Sequence, residues 1–457
     1  MKSNYRPVSL LNAFSKIIEK VVFTRVYNFL LDINFLNPLQ SGFRPGDSTV
    51  NQLVYMVHKI NDAFERGKEV RMVYLDISKA FDRVWHKGLL LKLKSIGIRD
   101  PLLGWLTSYL SHRKQRVVID GQSSNWSTIS AGVPQGSVLG PLLFLIYIND
   151  VTENLKSDCL LYADDTSLFD IVDDPVTSSQ KLNNDLSEIK DWARKWLVTI
   201  NPSKTECMTF SAKRIKPPHP DLFYGDNKII EVAQHTHLGV VLCNNLSWRA
   251  HIFKIYEKAS KRLNILKGIR YKVDRTTLRK LYKSLVRPLM EYADVLWDGC
   301  TDSESDLLEH VQYEAAKIVT GAMKGTSKHR LMQEIGMEDL KTRRAIHKLL
   351  LYFKIVNNLC PSYLVDLLPL LVSERTNYSL RTASNYSIFA SRTDRFKRSF
   401  FPQLLACGTT SGMIYVVLIP LVLLRKLYSP FIMYLVTTLL LILLLIDLMQ
   451  FSTLVYA

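Results

Sequence analysis

The 457-residue sequence predicts an α+β fold built on an antiparallel sheet. Three features point there. "VRMVYLDIS" (70–78) is an apolar, β-rich run that ends at an acid. "CLLYADDTSLF" (159–169) has two apolar arms about a polar pivot, the form of a β-hairpin. Helical apolar spacing flanks both stretches.

Taken in order, residues 7–31 fit a helix, and "NPLQSGFRPGDST" is a Gly/Pro/Ser loop before a helix at about 50–64. After the first strand, "KGLLLKLKSIG" reads as a helix closed by Gly97. "QRVVIDGQSSNWSTISAGVPQGS" reads as a hairpin leading into a Gly/Pro loop, and "PLLFLIYINDV" as a buried helix. Beyond the second hairpin, Leu182, Leu186, Ile189, Ala193 and Trp196 share a helical face, and "ECMTF" returns as a strand. Residues 253–272 carry seven Lys or Arg against one acid in a helical pattern. Leu278, Leu281, Tyr282, Leu285, Val286 and Leu289 then form an apolar helical stripe. The remainder to about Arg398 reads as mostly helical, without internal repeats.

A chain of this length buries a sizeable core and divides into two to four domains. Lys and Arg outnumber Asp and Glu by 59 to 42, a net charge of +17 that points to a polyanionic partner, either nucleic acid or an acidic membrane surface. The six cysteines are widely spread, with no CxxC pair and no histidine at zinc-finger spacing, so neither a disulfide framework nor a zinc site is expected and the setting reads as intracellular. No HExxH or Walker-type phosphate loop is present. The first residues lack the apolar core of a signal peptide and read as though sequence preceded them.

Burying one ionised carboxylate without a partner costs several kcal/mol, so Asp164 and Asp165 are either exposed on a turn or held by a cation. Taken singly, an acid at a strand end or hairpin tip is a solvated turn residue. Asp76, 88 residues earlier at the end of another strand-like run, changes the weighing. Carboxylates converging from different elements suit two hard divalent cations, Mg²⁺ first among them, in phosphoryl transfer.

"NYRPVSLLNAFSKIIEKVV", "QSGFRPGDST", "VYLDISKAFDRVWH", "GVPQGSVLGPLLFLIYINDV", "YADDT", "KWLVTINPSKTECMTF" and "HLGVVLCNNLSW" stand in the order of the successive motifs of reverse transcriptases from non-LTR retrotransposons. The chain resembles the jockey-like group in particular, from about residue 4 to 400. The resemblance implies a right-hand polymerase: partial fingers at 1–69, a palm with an antiparallel sheet at 70–245, a thumb at 246–340, a helical region at 341–411 and an apolar tail at 412–457. It implies an RNA template, a DNA primer or target and dNTPs as partners, two Mg²⁺ ions with Mn²⁺ as an alternative, and a nuclear place of action.

Carried onto matching positions, the resemblance makes Asp76, Asp164 and Asp165 metal ligands, supplemented by the backbone carbonyl of Ile77. Phe81 stands where these enzymes place an aromatic gate against a ribose 2′-hydroxyl; elsewhere it would read as a core phenylalanine. Gln135 and Gly136 match the loop that packs on nucleotide and template, and Arg6 and Arg44 match positions near the triphosphate. Lys204 matches a proton donor to pyrophosphate. Lys254, Lys258, Lys261 and Arg262 match a thumb helix that tracks phosphates, against the plain alternative of a solvated face.

Two departures from the family pattern leave alternatives open. An endonuclease region and part of the fingers are expected to be missing, so a catalytically inactive nucleic-acid-binding remnant competes with an active enzyme; an RNA-templated RNA polymerase is opposed by Phe81. After "RTDRFKRSFFPQ" the chain reads "LLACGTTSGMIYVV" in place of a tryptophan–asparagine stretch, which suits a frameshifted tail. The rival is a membrane helix over the uncharged residues 427–446, with Arg425 and Lys426 on the cytoplasmic side, making a membrane-anchored protein.

Overall fold

The computed structural model describes residues 8–323, 325–375 and 386–406, which fall into two units dividing between Ala250 and His251. The first unit is organised around β1 (Glu69–Asp76). Its residues are buried almost without a break until Asp76, as befits a central strand covered on both faces. Even its charges have partners: Arg71 donates to Ser179 Oγ at 2.6 Å and to the Pro220 carbonyl at 2.7 Å, and Lys213 Nζ lies 3.4 Å from Glu69 Oε2.

Ahead of β1 come α1 (Ala13–Asp32) and α2 (Thr49–Glu65), the latter capped by the Ser48 side chain. After it come α3 (His86–Ser95) and α4 (Leu102–Leu110). Gly97, at φ +98°, takes the left-handed position just past α3. The segment expected to form one hairpin makes two short ladders: β2 (Lys114–Gln115) with β5 (Ser127–Thr128), and β3 (Val118–Ile119) with β4 (Gln122–Ser123). Asp120 and Gly121 both have positive φ, as a two-residue hairpin loop requires. The next helix, α5 (Leu139–Ile148), is apolar nearly all round and lies in the core.

The second hairpin follows, β6 (Asp158–Tyr162) and β7 (Asp165–Val172), then α6 (Pro175–Lys195), with Asp174 as N-cap and Pro175 in its first turn. Leu182, Leu186, Ile189 and Ala193 form the buried face of α6, whereas Trp196 lies past its end and is only partly buried. β8 (Glu206–Phe210) returns to the sheet. Short strands β9 (Phe223–Tyr224), β10 (Asn227–Lys228), β11 (Ile230–Glu231), β12 (Gln234–His237) and β13 (Val240–Cys243) complete the unit. The main sheet runs β11-β8-β1-β7-β6. β1 pairs antiparallel with β7 and β8, and β6 antiparallel with β7; β11 adds a two-residue parallel edge.

Two buried charges tie distant segments together. Glu19, 1% exposed, accepts the Val138 and Leu139 amides at 2.7 and 3.2 Å and so caps the start of α5 from α1. Lys92 donates to the Tyr147 carbonyl and to Asp150, with its ammonium 3.8 Å from the Trp196 ring centroid.

In the second unit α7 (Arg249–Ile269) is followed by α8 (Arg275–Leu281), a π-helical turn over Tyr282–Val286, and α9 (Arg287–Glu291). The π turn corrects the expected stripe. Extra residues per turn place the buried series at Leu278, Tyr282, Val286 and Met290, leaving Leu285 43% exposed. The Tyr282 hydroxyl donates to Gln312 Oε1 at 2.9 Å. Gln312 belongs to the helix Asp302–Thr320, which starts with a Thr301–Glu304 capping box.

No helix among the described residues is long and apolar enough to cross a membrane. The 427–446 span, its flanking Arg425 and Lys426, and the rest of the 412–457 tail lie outside the described residues, as does Arg6.

Burial lowers His58 to about 4, with Lys59 and Arg66 adding to the effect, and lowers His237 to about 3 and His251 to about 4. All three are neutral when folded at neutral pH but take up protons near pH 6.5 once unfolded. The unfolded state therefore binds more protons between pH 6.5 and 4, and stability falls as pH drops through that window. The expected result is a thermal midpoint that decreases steadily from pH 7 to pH 4.5 (buffer range set about the histidine value); a flat profile there contradicts the neutral burial of these histidines.

Candidate catalytic site

The strand register assembles the site. Asp76, the last residue of β1, is the direct cross-strand partner of Asp165, the first residue of β7. Tyr162 pairs with Asp165 across the β6–β7 hairpin, so Ala163 and Asp164 form its turn. All three aspartates thus gather at one end of the sheet.

The turn is under constraint, because Ala163 has φ +56°, a left-handed conformation unfavourable for alanine. The loop at 37–44 holds it. Gln40, 2% exposed, accepts the Ala163 amide at 3.0 Å and the Gly42 amide at 2.9 Å through one oxygen, Oε1. The loop backbone also runs along β6, with Leu161 N donating to Leu39 O at 3.1 Å and Ser41 N to Leu161 O at 2.8 Å. The Gln52 amide donates to that same Leu161 carbonyl at 2.8 Å. Glycine is required at 42, since a Cβ there would stand 2.2 Å from Ala163 N.

On the other side of Asp76, its carbonyl accepts the Asn201 amide at 2.8 Å, and Ile77, side chain buried, bridges to Ile200. Asn201 orders the loop after it, accepting from Ser203 through Oδ1 and from Thr205 through its carbonyl. This loop brings Lys204 Nζ to 3.7 Å from Asp76 Oδ2. The pair is open to water, with side chains 67% and 38% exposed, so its attraction is weak.

Next to this end of the sheet, Lys79 at φ 51° turns the chain into a 3₁₀ turn, Ala80–Arg83. Phe81 stacks on Phe144 with centroids 4.6 Å apart and meets Phe43 edge-on at 5.7 Å. Gln135 donates to Asp82 Oδ1 at 2.9 Å and, through its carbonyl, accepts the Ser9 amide at 2.8 Å. Gly136, at φ +103°, lies close enough to Ser9 that a Cβ would come 3.2 Å from its carbonyl. Ser9, Lys79, Asp82, Arg113, Gln115 and Gln135 border a cavity of about 240 Å³.

A family model described as "Reverse transcriptase (RNA-dependent DNA polymerase)" matches residues 1–242. The chain belongs to this family. Among relatives, the probable RNA-directed DNA polymerase from transposon X-element of Drosophila melanogaster is 31% identical over 344 residues, covering 72% of this chain and 37% of the relative. The RNA-directed DNA polymerase from mobile element jockey of Drosophila funebris is 31% identical over 330 residues, covering 70% of this chain and 36% of its own. The chain therefore spans little more than a third of the length of these curated relatives. Apo telomerase from Candida tropicalis is similar in structure at a TM-score of 0.41 and 11% identity, over 70% of this chain and 53% of that one. That likeness is too slight to bear on the site.

Within this chain, the carboxylates are hard oxygen donors of the type Mg²⁺ takes. Backbone register brings them to one place, yet among the described residues no three His, Cys, Asp or Glu side chains are gathered closely enough to hold an ion. Arg44 turns back on its own loop, donating to the Asn37 carbonyl at 2.9 Å. Lys258, Lys261 and Arg262 are exposed on α7 and Lys254 is half-buried; Arg262 also donates to the Leu285 carbonyl at 2.7 Å.

Sequence reasoning missed Gln40, Gly42, Gln52, Asn201 and Glu19 as supports of the site. Gln40 and Gly42 stand inside the quoted "QSGFRPG" block, where a buried amide looks like any polar loop residue. Gln40→Ala leaves two amides without their acceptor, at a cost of about 1–3 kcal/mol. Faster hydrogen exchange is expected in peptides covering 160–166, with β8 unchanged; wild-type exchange at the turn would refute the role of Gln40.

Proposed function

We propose that this chain copies RNA into DNA: a primer 3′-hydroxyl attacks the α-phosphate of a dNTP opposite an RNA template, and pyrophosphate leaves. The observation that carries this reading is the register that sets Asp76 opposite Asp165, with Asp164 in the adjoining turn. In this reading Asp76 and Asp164 are the principal ligands of two Mg²⁺ ions, or of Mn²⁺, with Asp165 and the Ile77 carbonyl supplementary. When bound, such ions offset charge on the attacking and leaving oxygens.

The chain's own groups supply the rest. Lys204, poised beside Asp76, protonates the departing pyrophosphate. Phe81, held by Phe144 and Phe43, rejects a ribose 2′-hydroxyl that it has no group to satisfy. Gln135, its amide fixed by Asp82, and Gly136 form the floor for nucleotide and template. Arg6 and Arg44 offset triphosphate charge, and Lys254, Lys258, Lys261 and Arg262 follow the phosphates of the duplex. Residues 1–69, 70–245, 246–340 and 341–411 serve as partial fingers, palm, thumb and helical extension, and the copying takes place in the nucleus at a target site of a mobile element.

One observation favours a second reading, a nucleic-acid-binding remnant without synthesis. The Lys204 ammonium, 3.7 Å from Asp76 Oδ2, already faces a carboxylate that the polymerase reading assigns to a metal.

Primer extension on poly(rA)/oligo(dT) with Mg²⁺ separates the two. Synthesis is expected in the wild-type chain and should fall on the order of 10²-fold or more in Asp164→Asn and Asp76→Asn. Wild-type extension no higher than Asp164→Asn leaves only the remnant. In Phe81→Ala, incorporation of NTPs relative to dNTPs should rise by about 10-fold or more, measured in the same assay; an unchanged ratio removes the gate from Phe81.

A further inference from the structure

The hairpin at 113–128 has an exterior that a solvated connector does not need. All four of its short strands are exposed, as are Val117, Val118, Ile119 and Trp126, the tryptophan at 60%. Arg116 places its guanidinium 4.8 Å from the centroid of the Trp126 ring. Arg113, Lys114 and Arg116 face a single acid in the segment, Asp120. Exposed apolar and aromatic surface beside clustered cations is the composition of a surface that stacks bases and attracts phosphates.

The base of the hairpin locates it. Arg113 and Gln115 border the same cavity as Gln135, Asp82 and Lys79, and the Ile129 amide donates to the Arg113 carbonyl at 2.9 Å where the two arms meet. The base of the hairpin, where its cationic run begins, therefore borders that cavity. An acidic membrane surface would also accept tryptophan and cations, but the shared cavity gives it no path, and a single strand of nucleic acid has one.

We propose that this hairpin is a platform for single-stranded RNA, with bases stacking on Trp126 and phosphates held by Arg113, Lys114 and Arg116. The assignment rests on the proposed function in taking that strand to be the template approaching the site. Arg116 preorganises the indole by lying on one face, leaving the other face for a base. Such a contact is indifferent to sequence, because every base offers a π face.

The test measures binding of fluorescein-labelled oligo(rA) to the full chain by anisotropy across a salt series. Trp126→Ala should weaken binding by about 10-fold or more, with Trp126→Phe retaining most of it. Arg116→Ala and Lys114→Ala should each make the salt dependence shallower. Unaltered thermal midpoints serve as the folding control, since the altered side chains are exposed. Wild-type affinity and salt slope in Trp126→Ala and Arg116→Ala overturn the proposal. So does a loss of binding to phosphatidylserine vesicles in Trp126→Ala with oligo(rA) binding intact, which would assign the hairpin to a membrane. If the wild type fails to extend a primer yet Trp126→Ala still weakens oligo(rA) binding, the platform stands and the polymerase reading fails.

Discussion

The pairing of β1 on both of its edges is the constraint from which the site follows. β7 and β8 lock it from either side, and a slip of one residue against β7 would invert every side chain of the strand. Such a slip would move Val73 and Leu75 from one packed face of the sheet to the other and turn the carboxylate of Asp76 away from Asp165. The apolar burial of the strand and the placement of the aspartate are therefore one requirement. The hydrophobic effect on about half a dozen side chains, each worth about 1.5–3 kcal/mol when fully buried, holds the register.

The hairpin that brings Asp164 and Asp165 depends on contacts outside itself. A left-handed alanine in its turn is unfavourable, and the loop at 37–44 compensates by offering the Gln40 oxygen to the Ala163 amide and pressing Gly42 against it. Glu19 does the corresponding work for the loop of Gln135 and Gly136, because the helix that follows that loop begins on its carboxylate. Asn201 does it for Lys204. Gln40 and Glu19 are polar side chains binding backbone groups of segments remote in sequence, whereas Asn201 orders its own loop and reaches Asp76 through its backbone amide; all three stiffen the site without using its chemical groups.

What could be read from the sequence was whatever repeats with a short period or stands in an ordered motif. The buried face of α6, the unbroken apolar run of α5 and the strand ending at Asp76 announced themselves by spacing. The stripe after Leu278 failed at Leu285 because a π turn changes the residues per turn, and local spacing carries no trace of it. Arg44 shows the other limit: nothing in its sequence block told that its guanidinium donates to the Asn37 carbonyl and so braces its own loop.

By itself, the sequence determined the element types, the ordered motifs and the residues able to bear charge at the site, because these depend on local propensity and side-chain chemistry. Only the tertiary structure decided that Asp76 lies opposite Asp165, that Gln40 and Gly42 hold the turn bearing Asp164, and that Arg113 and Gln135 share a cavity. Those relations join residues tens to more than a hundred positions apart, and they exist only once buried strands and backbone hydrogen bonds have selected a single register.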